Sequence, residues 1–514
     1  MMVKSKTSRL KILIPPAGVL LYYVTFAPLF GYITTDDTLL RNGYTFSRTS
    51  NFIIHHPTGL PENLIDELKS FHEFQLRELK EKLQVSARYP ITSYVYKNSS
   101  DKGQFFGSEG ADVAKPWKKE IHTSMGTVFG SLRHELAHIL ASEFSNPPFY
   151  VAGGIDPWLI EGLAVFADFS FDDQDIPDLL YGMSKISGHE TINSAGKASF
   201  FQTNTRYAYL KAGFIFDEIQ KSHGTDKLKE LYRTGDFQTV LHTSPDKIFE
   251  QAIVSEAKEL SGRDSVAAAY YFKSKPFLLK NCPRFMAEQF DDAIQALKVR
   301  DFNSAEYTLK NLLLANKDSR YITTYAGLLE ETNRYEDLYK FSEALEKDYS
   351  DINIRLKKID AKILSGRGVS ESDYQSLIHY SPNLRYDAIL QTRLILLKKG
   401  TLKQYLSADD SGKKTMLLSE LNDTTGYLLL PFSNLASPEE VLSLIRNFSK
   451  PGLWTEYVKL FVARRSISAG DRLLFINALK LIRSDFLPSG SKKQYEQLIR
   501  YNSYLLAENL LKEK

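Results

Sequence analysis

Cysteine is almost absent from this chain, which has a single one, Cys282, among 514 residues. One thiol cannot close an intramolecular disulfide, so a disulfide-rich scaffold is excluded, and the residue is compatible with an oxidising compartment without indicating one. An excess of one charge is lacking too, because 65 Lys and Arg residues nearly balance 62 Asp and Glu residues and leave a net charge of +3. The two signs are interspersed, and no long basic run occurs beyond the N-terminus, which argues against a nucleic-acid partner.

Long uncharged stretches are scarce as well, and the clearest one spans residues 12–33. Four basic residues between Lys4 and Lys11 precede it, and two aspartates follow it. At 1.5 Å per residue a helix of this length measures about 33 Å, enough to cross the roughly 30 Å hydrocarbon core of a bilayer. Because basic flanks stay in the cytoplasm, residues 1–35 are predicted to be a single-pass signal anchor with the rest of the chain outside.

A removed signal peptide is the alternative interpretation, and either segment would direct export. No A-x-A-like cleavage site ends the apolar run, and its one plausible small-residue position, Ala27, is followed by Pro28. No cysteine lies near the segment, which excludes a lipoprotein anchor. We therefore expect a retained membrane anchor that holds the remaining chain in the periplasm or at the cell surface.

Histidine is also uncommon, with ten residues in the whole chain, yet two of them fall in His134–His138, whose sequence is HELAH. The residues from Thr127 to Phe144 contain no proline and carry apolar side chains at helical spacing, before Pro147 ends the pattern. Residues four apart on a helix face the same way, so both imidazoles can reach one metal ion, and Glu135 lies where it can take a proton from a metal-activated water. The alternative is an amphipathic helix with two polar surface histidines.

A second helix is predicted to begin at Asp156, which suits the N-cap, and Pro157, whose missing N–H is not needed at the first helical position. Glu161 follows in an otherwise apolar run, and a buried carboxylate needs a partner. Twenty-two residues separate it from His138, enough to turn the chain and place this helix beside the first. Two imidazoles and one carboxylate would then hold zinc and leave a fourth position open for water.

The HELAH segment, followed by Trp158–Ala164 with the sequence WLIEGLA, resembles the gluzincin metallopeptidases, in particular the bacterial peptidase MA-like family. The resemblance extends over about residues 45–260. It implies a Zn²⁺ cofactor bound by His134, His138 and Glu161. It also implies that the substrate is a peptide or a protein.

The same resemblance implies how the other residues share the chemistry. Glu135 would be the general base for a metal-activated water that hydrolyses the peptide bond. Gluzincins often use a Tyr or His donor for the oxyanion, and by position Tyr209 is the first candidate and Tyr207 the second, with core packing as the alternative for both. Asp168 lies seven residues after Glu161, on the same helical face, and would orient a ligand histidine or else belong to a solvated helix end.

The predicted fold class is α+β, with a zincin-like metallopeptidase domain of a small mixed sheet and active-site helices over residues 45–275. Phe52–Pro57 and Ile91–Tyr96 are predicted strands of this sheet, because both are short and rich in β-branched and aromatic residues. The stretch Lys119–His122 is a candidate edge strand that pairs with extended substrate, with His122 lining the cleft.

From residue 285 to residue 514 the pattern is helical throughout, with short polar breaks. Phe302 and Tyr335 stand 33 residues apart in similar local sequences, close to the tetratricopeptide period of 34. This region therefore resembles a degenerate tetratricopeptide-like array. Such arrays bind protein partners on a concave face, and the alternative is a packing module that positions the catalytic domain.

The combined prediction is a membrane-anchored, extracytoplasmic zinc peptidase with a helical-repeat region. The alternative from another class is a catalytically silent scaffold, in which the zinc site is structural and the repeats mediate protein–protein interaction. The intact base Glu135 favours the enzyme, because a scaffold has no use for it.

Overall fold

The computed structural model of the protein describes most of the chain beyond its N-terminus. The described residues are 36–168, 171, 174–187, 205–256, 262–272, 283–315, 317–346, 351–420, 430, 435–446 and 452–512. The predicted membrane anchor, residues 1–35, lies outside them. Within these ranges, no helix combines the length and the apolar character that crossing a bilayer requires.

One small mixed sheet and a large set of helices make up the described chain, which confirms the α+β prediction. The strands are β1 Tyr44–Arg48, β2 Phe52–Pro57, β3 Ile91–Tyr96, β4 Val113–Lys115 and β5 Glu120–Ser124. The helices of the first half are α1 Asp36–Arg41, α2 Glu62–Leu83, α3 Ser99–Phe106, α4 Val128–Ala141, α5 Pro157–Asp168, α6 Ile176–Ser187, α7 Thr205–Thr234, α8 Phe237–Leu241, α9 Pro245–Glu256 and α10 Gly262–Tyr271. Those of the second half are α11 Pro283–Lys298, α12 Phe302–Ala315, α13 Ser319–Glu331, α14 Tyr335–Glu346, α15 Ile352–Leu364, α16 Glu371–Ile378, α17 Leu384–Lys398, α18 Leu402–Ser407, α19 Asp410–Glu420, α20 Pro438–Arg446, α21 Leu453–Ser468, α22 Arg472–Lys480 and α23 Ser489–Lys512.

The sheet has the strand order β1-β2-β3-β5-β4. Its three central strands are parallel, with Phe52 opposite Ile91, and the two edge strands β1 and β4 are antiparallel to their neighbours. Parallel neighbours need a crossover connection, which α2 supplies between β2 and β3. Both strands predicted from the sequence, Phe52–Pro57 and Ile91–Tyr96, are confirmed with the same bounds.

Strand β5 is an inner strand, so the prediction that Lys119–His122 forms the substrate-pairing edge is wrong. Its residues pair with β3 on one side and with β4 on the other. The side chain of His122 is fully buried, with its ring stacked on Phe106 at a centroid distance of 3.9 Å, and the Tyr96 hydroxyl lies 3.1 Å from its Nδ1. The exposed edge on this side of the sheet belongs to β4.

Helix α4 lies against the sheet because its apolar stripe meets the sheet and α2. Val128, Leu132, Leu136 and Leu140 are each 0% exposed. Full burial of such side chains contributes roughly 1.5–3 kcal/mol each to folding before the entropy of ordering is subtracted. The predicted helix is therefore confirmed, and it begins at Val128 and ends at Ala141.

The second half of the chain begins as consecutive helices and returns to the first half at its end. Phe302 and Tyr335, the two members of the sequence echo, are the first residues of α12 and α14. The last helices pack against α2, where Arg472 Nε donates to Glu67 Oε2 at 2.8 Å and the Tyr501 hydroxyl donates to Glu67 Oε1. One continuous apolar core consequently joins residues of the sheet region to residues of α23.

Candidate metal centre

His134, His138 and Glu161 meet at one point, although they lie on two different helices. One ligand atom from each residue falls within 4.8 Å of the others. The Oε2 atom of Glu161 is 3.3 Å from Nε2 of His134 and 4.0 Å from Nε2 of His138. The three residues predicted as metal ligands are thus brought together.

Helix α5 presents Glu161 because of the way it begins and the way it packs. Its first turn is capped by Asp156, whose Oδ1 accepts from the backbone N–H of Trp158 at 3.0 Å, and Pro157 opens the helix as predicted. Gly162, directly after Glu161, lets α5 approach α7, since a Cβ at this position would lie 2.9 Å from Cβ of Ala212. This close approach of α5 to α7 sets how deeply the carboxylate of Glu161 is buried.

The donor set fits a zinc ion. Zinc takes imidazole nitrogen and carboxylate oxygen at about 2.0–2.2 Å, which places tetrahedral ligands roughly 3.3 Å apart. The two separations measured to Glu161 Oε2, 3.3 Å and 4.0 Å, approach this value. Three protein ligands leave a coordination position for water, the arrangement of catalytic rather than structural zinc sites.

The protonation states also suit metal binding. Burial lowers the pKa of His138 to about 4, so its imidazole is neutral at pH 7. Burial alone would raise the pKa of Glu161, but the hydrogen bond with His134 and the charges of both histidines lower it, so the carboxylate is ionised. Against the effect of its burial, the bond to Glu161 and the nearby carboxylates raise the pKa of His134. A metal ion therefore competes with a proton at His134, because the ligand nitrogen has to be unprotonated.

Glu135 is held in an environment that suits a general base. Its side chain is only 6% exposed, and burial raises its pKa to about 7, with the Glu161 and Asp112 carboxylates adding to the effect and His134 opposing it. A carboxylate with a pKa near the working pH is an efficient acceptor and donor of a proton. The burial follows from its place on α4, one residue after the first ligand.

The two candidate tyrosines of α7 lie in different surroundings. Tyr207 is 4% exposed and its ring packs on Phe272 at a centroid distance of 5.3 Å, the core-packing alternative. Tyr209 is half-buried, and its pKa is raised by burial first and then by the charges of Glu161 and Glu135. Tyr209 is therefore the candidate that lies within electrostatic reach of the carboxylates of the site.

Two further residues act electrostatically on the site without a signal in the sequence. Burial and the charge of Glu161 raise the pKa of Tyr232, which is 1% exposed. Asp112, in the loop before β4, accepts from Ser131 Oγ of α4 at 2.6 Å and forms a buried ion pair with Lys102. Asp112 and Tyr232 are separated from the zinc motifs by loops and helices whose path only the fold defines.

Asp168 is the last residue of α5, seven residues after Glu161. Its negative charge contributes to the raised pKa of His134 and acts on the guanidinium of Arg133. Arg133 in turn donates from Nε to the carbonyl oxygen of Ala167 at 2.8 Å and ties α4 to α5. The end of α5 is thus an electrostatic neighbour of the ligand set.

Comparison with known proteins does not assign the chain to a family. No protein-family model matches the chain, and no curated protein matches its sequence.

Proposed function

We propose that this chain is a zinc-dependent peptidase of the gluzincin type, anchored in a membrane by residues 1–35 with its catalytic part extracytoplasmic. The observation that supports it is the meeting of His134, His138 and Glu161 within 4.8 Å, with the buried Glu135 beside them. Three protein ligands leave a coordination position for water, as in catalytic zinc sites. A buried carboxylate beside them, with its pKa raised to about 7, suits a general base and favours catalysis over a structural role.

When bound at these three residues, a zinc ion supplies Lewis-acid activation of a water molecule and of the scissile carbonyl. Glu135 accepts the proton of the attacking water and delivers it to the leaving amine, for which its pKa of about 7 is suited. The hydroxyl of Tyr209, kept protonated by its surroundings, donates a hydrogen bond to the developing oxyanion. The negative charge of Asp168 helps to raise the pKa of His134.

A peptide is the substrate class that the surrounding fold favours. Among the described strands, β4 pairs only with β5 and leaves its other edge open, and it follows directly on Asp112, the neighbour of α4. An extended peptide can add to such an edge through main-chain hydrogen bonds. In this proposal β4 has the substrate-pairing role that the sequence analysis predicted for Lys119–His122.

The finer fold assignments belong to the same proposal. The mixed sheet with α4 packed on it supports a zincin-like domain, and helices that begin at Phe302 and Tyr335 support a tetratricopeptide-like array. N-terminal sequencing of the native protein tests the anchor, since a new terminus near residue 30 would contradict it.

The test of the enzyme uses the purified protein and its Glu135→Gln variant. We expect about one zinc per chain by elemental analysis in both, and hydrolysis of a peptide library by the native protein alone, because Gln keeps the shape of the side chain and cannot accept the proton. A chain without stoichiometric metal would refute the proposal. Biological activity that persists unaltered in Glu135→Gln would favour the silent scaffold instead.

A further inference from the structure

A cavity of about 770 Å³ lies between the catalytic part of the chain and the helices that return to it. One wall comes from α2, α4 and the end of α5, and the opposite wall comes from α10, the start of α17, α21 and α23. Its volume lies within the range of pockets that hold small ligands or a few peptide residues. No single half of the chain builds it.

The cavity adjoins the metal centre along α4. Thr127 and Ser131 line it, and they precede His134 by seven and three residues, which places them on the same helical face. At 1.5 Å per residue, Ser131 stands about 5 Å along the axis from the first ligand. Asp112 and Asp168, which also line the cavity, act electrostatically on Glu135 and His134.

The two walls differ in charge. Among the described residues that line the cavity, the two acidic ones, Asp112 and Asp168, both stand on the side of α4 and α5, together with one arginine, Arg133. The returning helices contribute Arg385, Arg464 and Arg465 and no acidic residue to the lining.

The opposite wall is therefore cationic and also partly aromatic. Arg464 Nη1 donates a hydrogen bond to Oε1 of Gln494 at 3.0 Å. Gln494 is neutral, so this hydrogen bond does not neutralise the charge of the guanidinium group. Tyr457 and Phe461 lie on the same helix, α21, and line the same wall. Guanidinium groups bind carboxylates through paired hydrogen bonds, and the rings offer apolar surface to the rest of a peptide.

We propose that this wall is a specificity site for a carboxylate of the substrate, bound by Arg464 and Arg465 with Arg385 nearby. The proposal rests on the proposed peptidase function and names its substrate class as peptides that carry a negative charge away from the scissile bond. The carboxylate is either an Asp or Glu side chain or a free C-terminus. The helical region accordingly completes the substrate site through its last helices.

Binding to the full-length Glu135→Gln protein tests this without requiring hydrolysis. Fluorescein-labelled peptides of one length are compared as acidic and amidated, neutral and amidated, and neutral with a free C-terminus. We expect at least one charged peptide to bind about fivefold or more tightly than the neutral amidated one, since two partly exposed ion pairs together contribute on that scale. The charged peptide that binds more tightly identifies the source of the carboxylate.

Substitutions of Arg464 and Arg465 test whether the preference for charged peptides comes from the cationic wall. Arg464→Gln with Arg465→Gln should remove the preference, and the corresponding pair of lysine substitutions should retain part of it, because the charge stays while the paired hydrogen bonds are lost. Arg446→Gln is the matched control, an exposed arginine of α20 outside the lining. It should leave binding unchanged.

Equal binding of all three peptides would overturn the proposal, as would a preference that survives the double glutamine variant. The native protein separates this failure from failure of the proposed function. Hydrolysis of neutral and acidic peptides with equal kcat/KM would leave the peptidase standing and refute the carboxylate site. A charge preference in binding by a protein that hydrolyses no peptide would refute the peptidase and keep a carboxylate-binding cavity.

Discussion

The contact between α5 and α7 sets the position of Glu161. A single carbon atom added at Gly213 of α7 would disturb this contact. A Cβ at Gly213 would lie 2.4 Å from Cγ1 and 2.9 Å from Cβ of Val165, and 3.1 Å from the backbone nitrogen of Phe166. Val165 follows Glu161 by one helical turn. Because the clash involves a stiff β-branched side chain and backbone, α5 has to move as a whole.

The size of the effect follows from two opposing terms. Overpacking of this kind costs about 1–3 kcal/mol, and the overlap at 2.4 Å places Gly213→Ala at the upper end. Replacing a helical glycine by alanine returns about 1 kcal/mol. We therefore expect Gly213→Ala to lower the free energy of unfolding by about 2 kcal/mol. Displacement of Glu161 should weaken zinc binding by about tenfold or more, as for other residues that orient ligands.

The matched control is Gly327→Ala in α13, where nothing lies within 4 Å of the new methyl group. Alanine is favoured over glycine inside a helix, and here it meets no clash. The Gly327→Ala variant should therefore be up to about 1 kcal/mol more stable than the native protein. Urea unfolding followed by tryptophan fluorescence measures both, since Trp158 is buried in α5. Equal stability of the two variants, or a destabilised Gly213→Ala protein with native zinc affinity, would refute the reasoning.

Further predictions concern the metal, the oxyanion and pH. Glu161→Ala should lose stoichiometric zinc, and a chelator should then lower the melting temperature of the native protein but not that of the variant. Tyr209→Phe should reduce kcat by about 100-fold with little change in KM, whereas unchanged kcat would assign Tyr209 to packing. Burial holds the pKa of His72 at about 4 in the folded protein, against 6.5 for the unfolded chain. The stability that depends on neutral His72 is complete above pH 6.5 and falls by up to about 3 kcal/mol as the pH drops to 4, because the unfolded chain takes up the proton before the folded protein does. The pH dependence of unfolding in this range should be shallower in His72→Gln, and an identical slope would contradict the assignment.

The ligand-bearing helices could be predicted because their determinants are local. The apolar spacing from Val128 to Leu140 and the start at Asp156 act within one or two turns, and they defined α4 and α5 before any tertiary contact was known. The spacing of His134 and His138 on one face has the same local origin. The approach of Glu161 was inferred from chain length and from the resemblance.

The sequence ranked Tyr209 ahead of Tyr207 by position alone and gave no structural reason for that choice. Tyr207 and Tyr209 are two residues apart in one helix, so which of them faces the carboxylates depends on the rotation of α7 about its axis. That rotation depends on how α7 packs on other helices, and Gly213 of α7 lies directly against Val165 of α5. The error over His122 has the same cause, because a strand's own pattern does not show which strands lie beside it.

By itself the sequence determined the α+β class and the two helices that carry His134, His138 and Glu161, since capping and periodicity depend on neighbouring residues. Only the tertiary structure decided that β4 forms the exposed edge and that the last helices fold back on α2. It also decided that these helices face α4 and the end of α5 across a cavity. Pairing of Arg472 with Glu67 joins residues some 400 positions apart, and such a contact depends on the summed packing of every element between them.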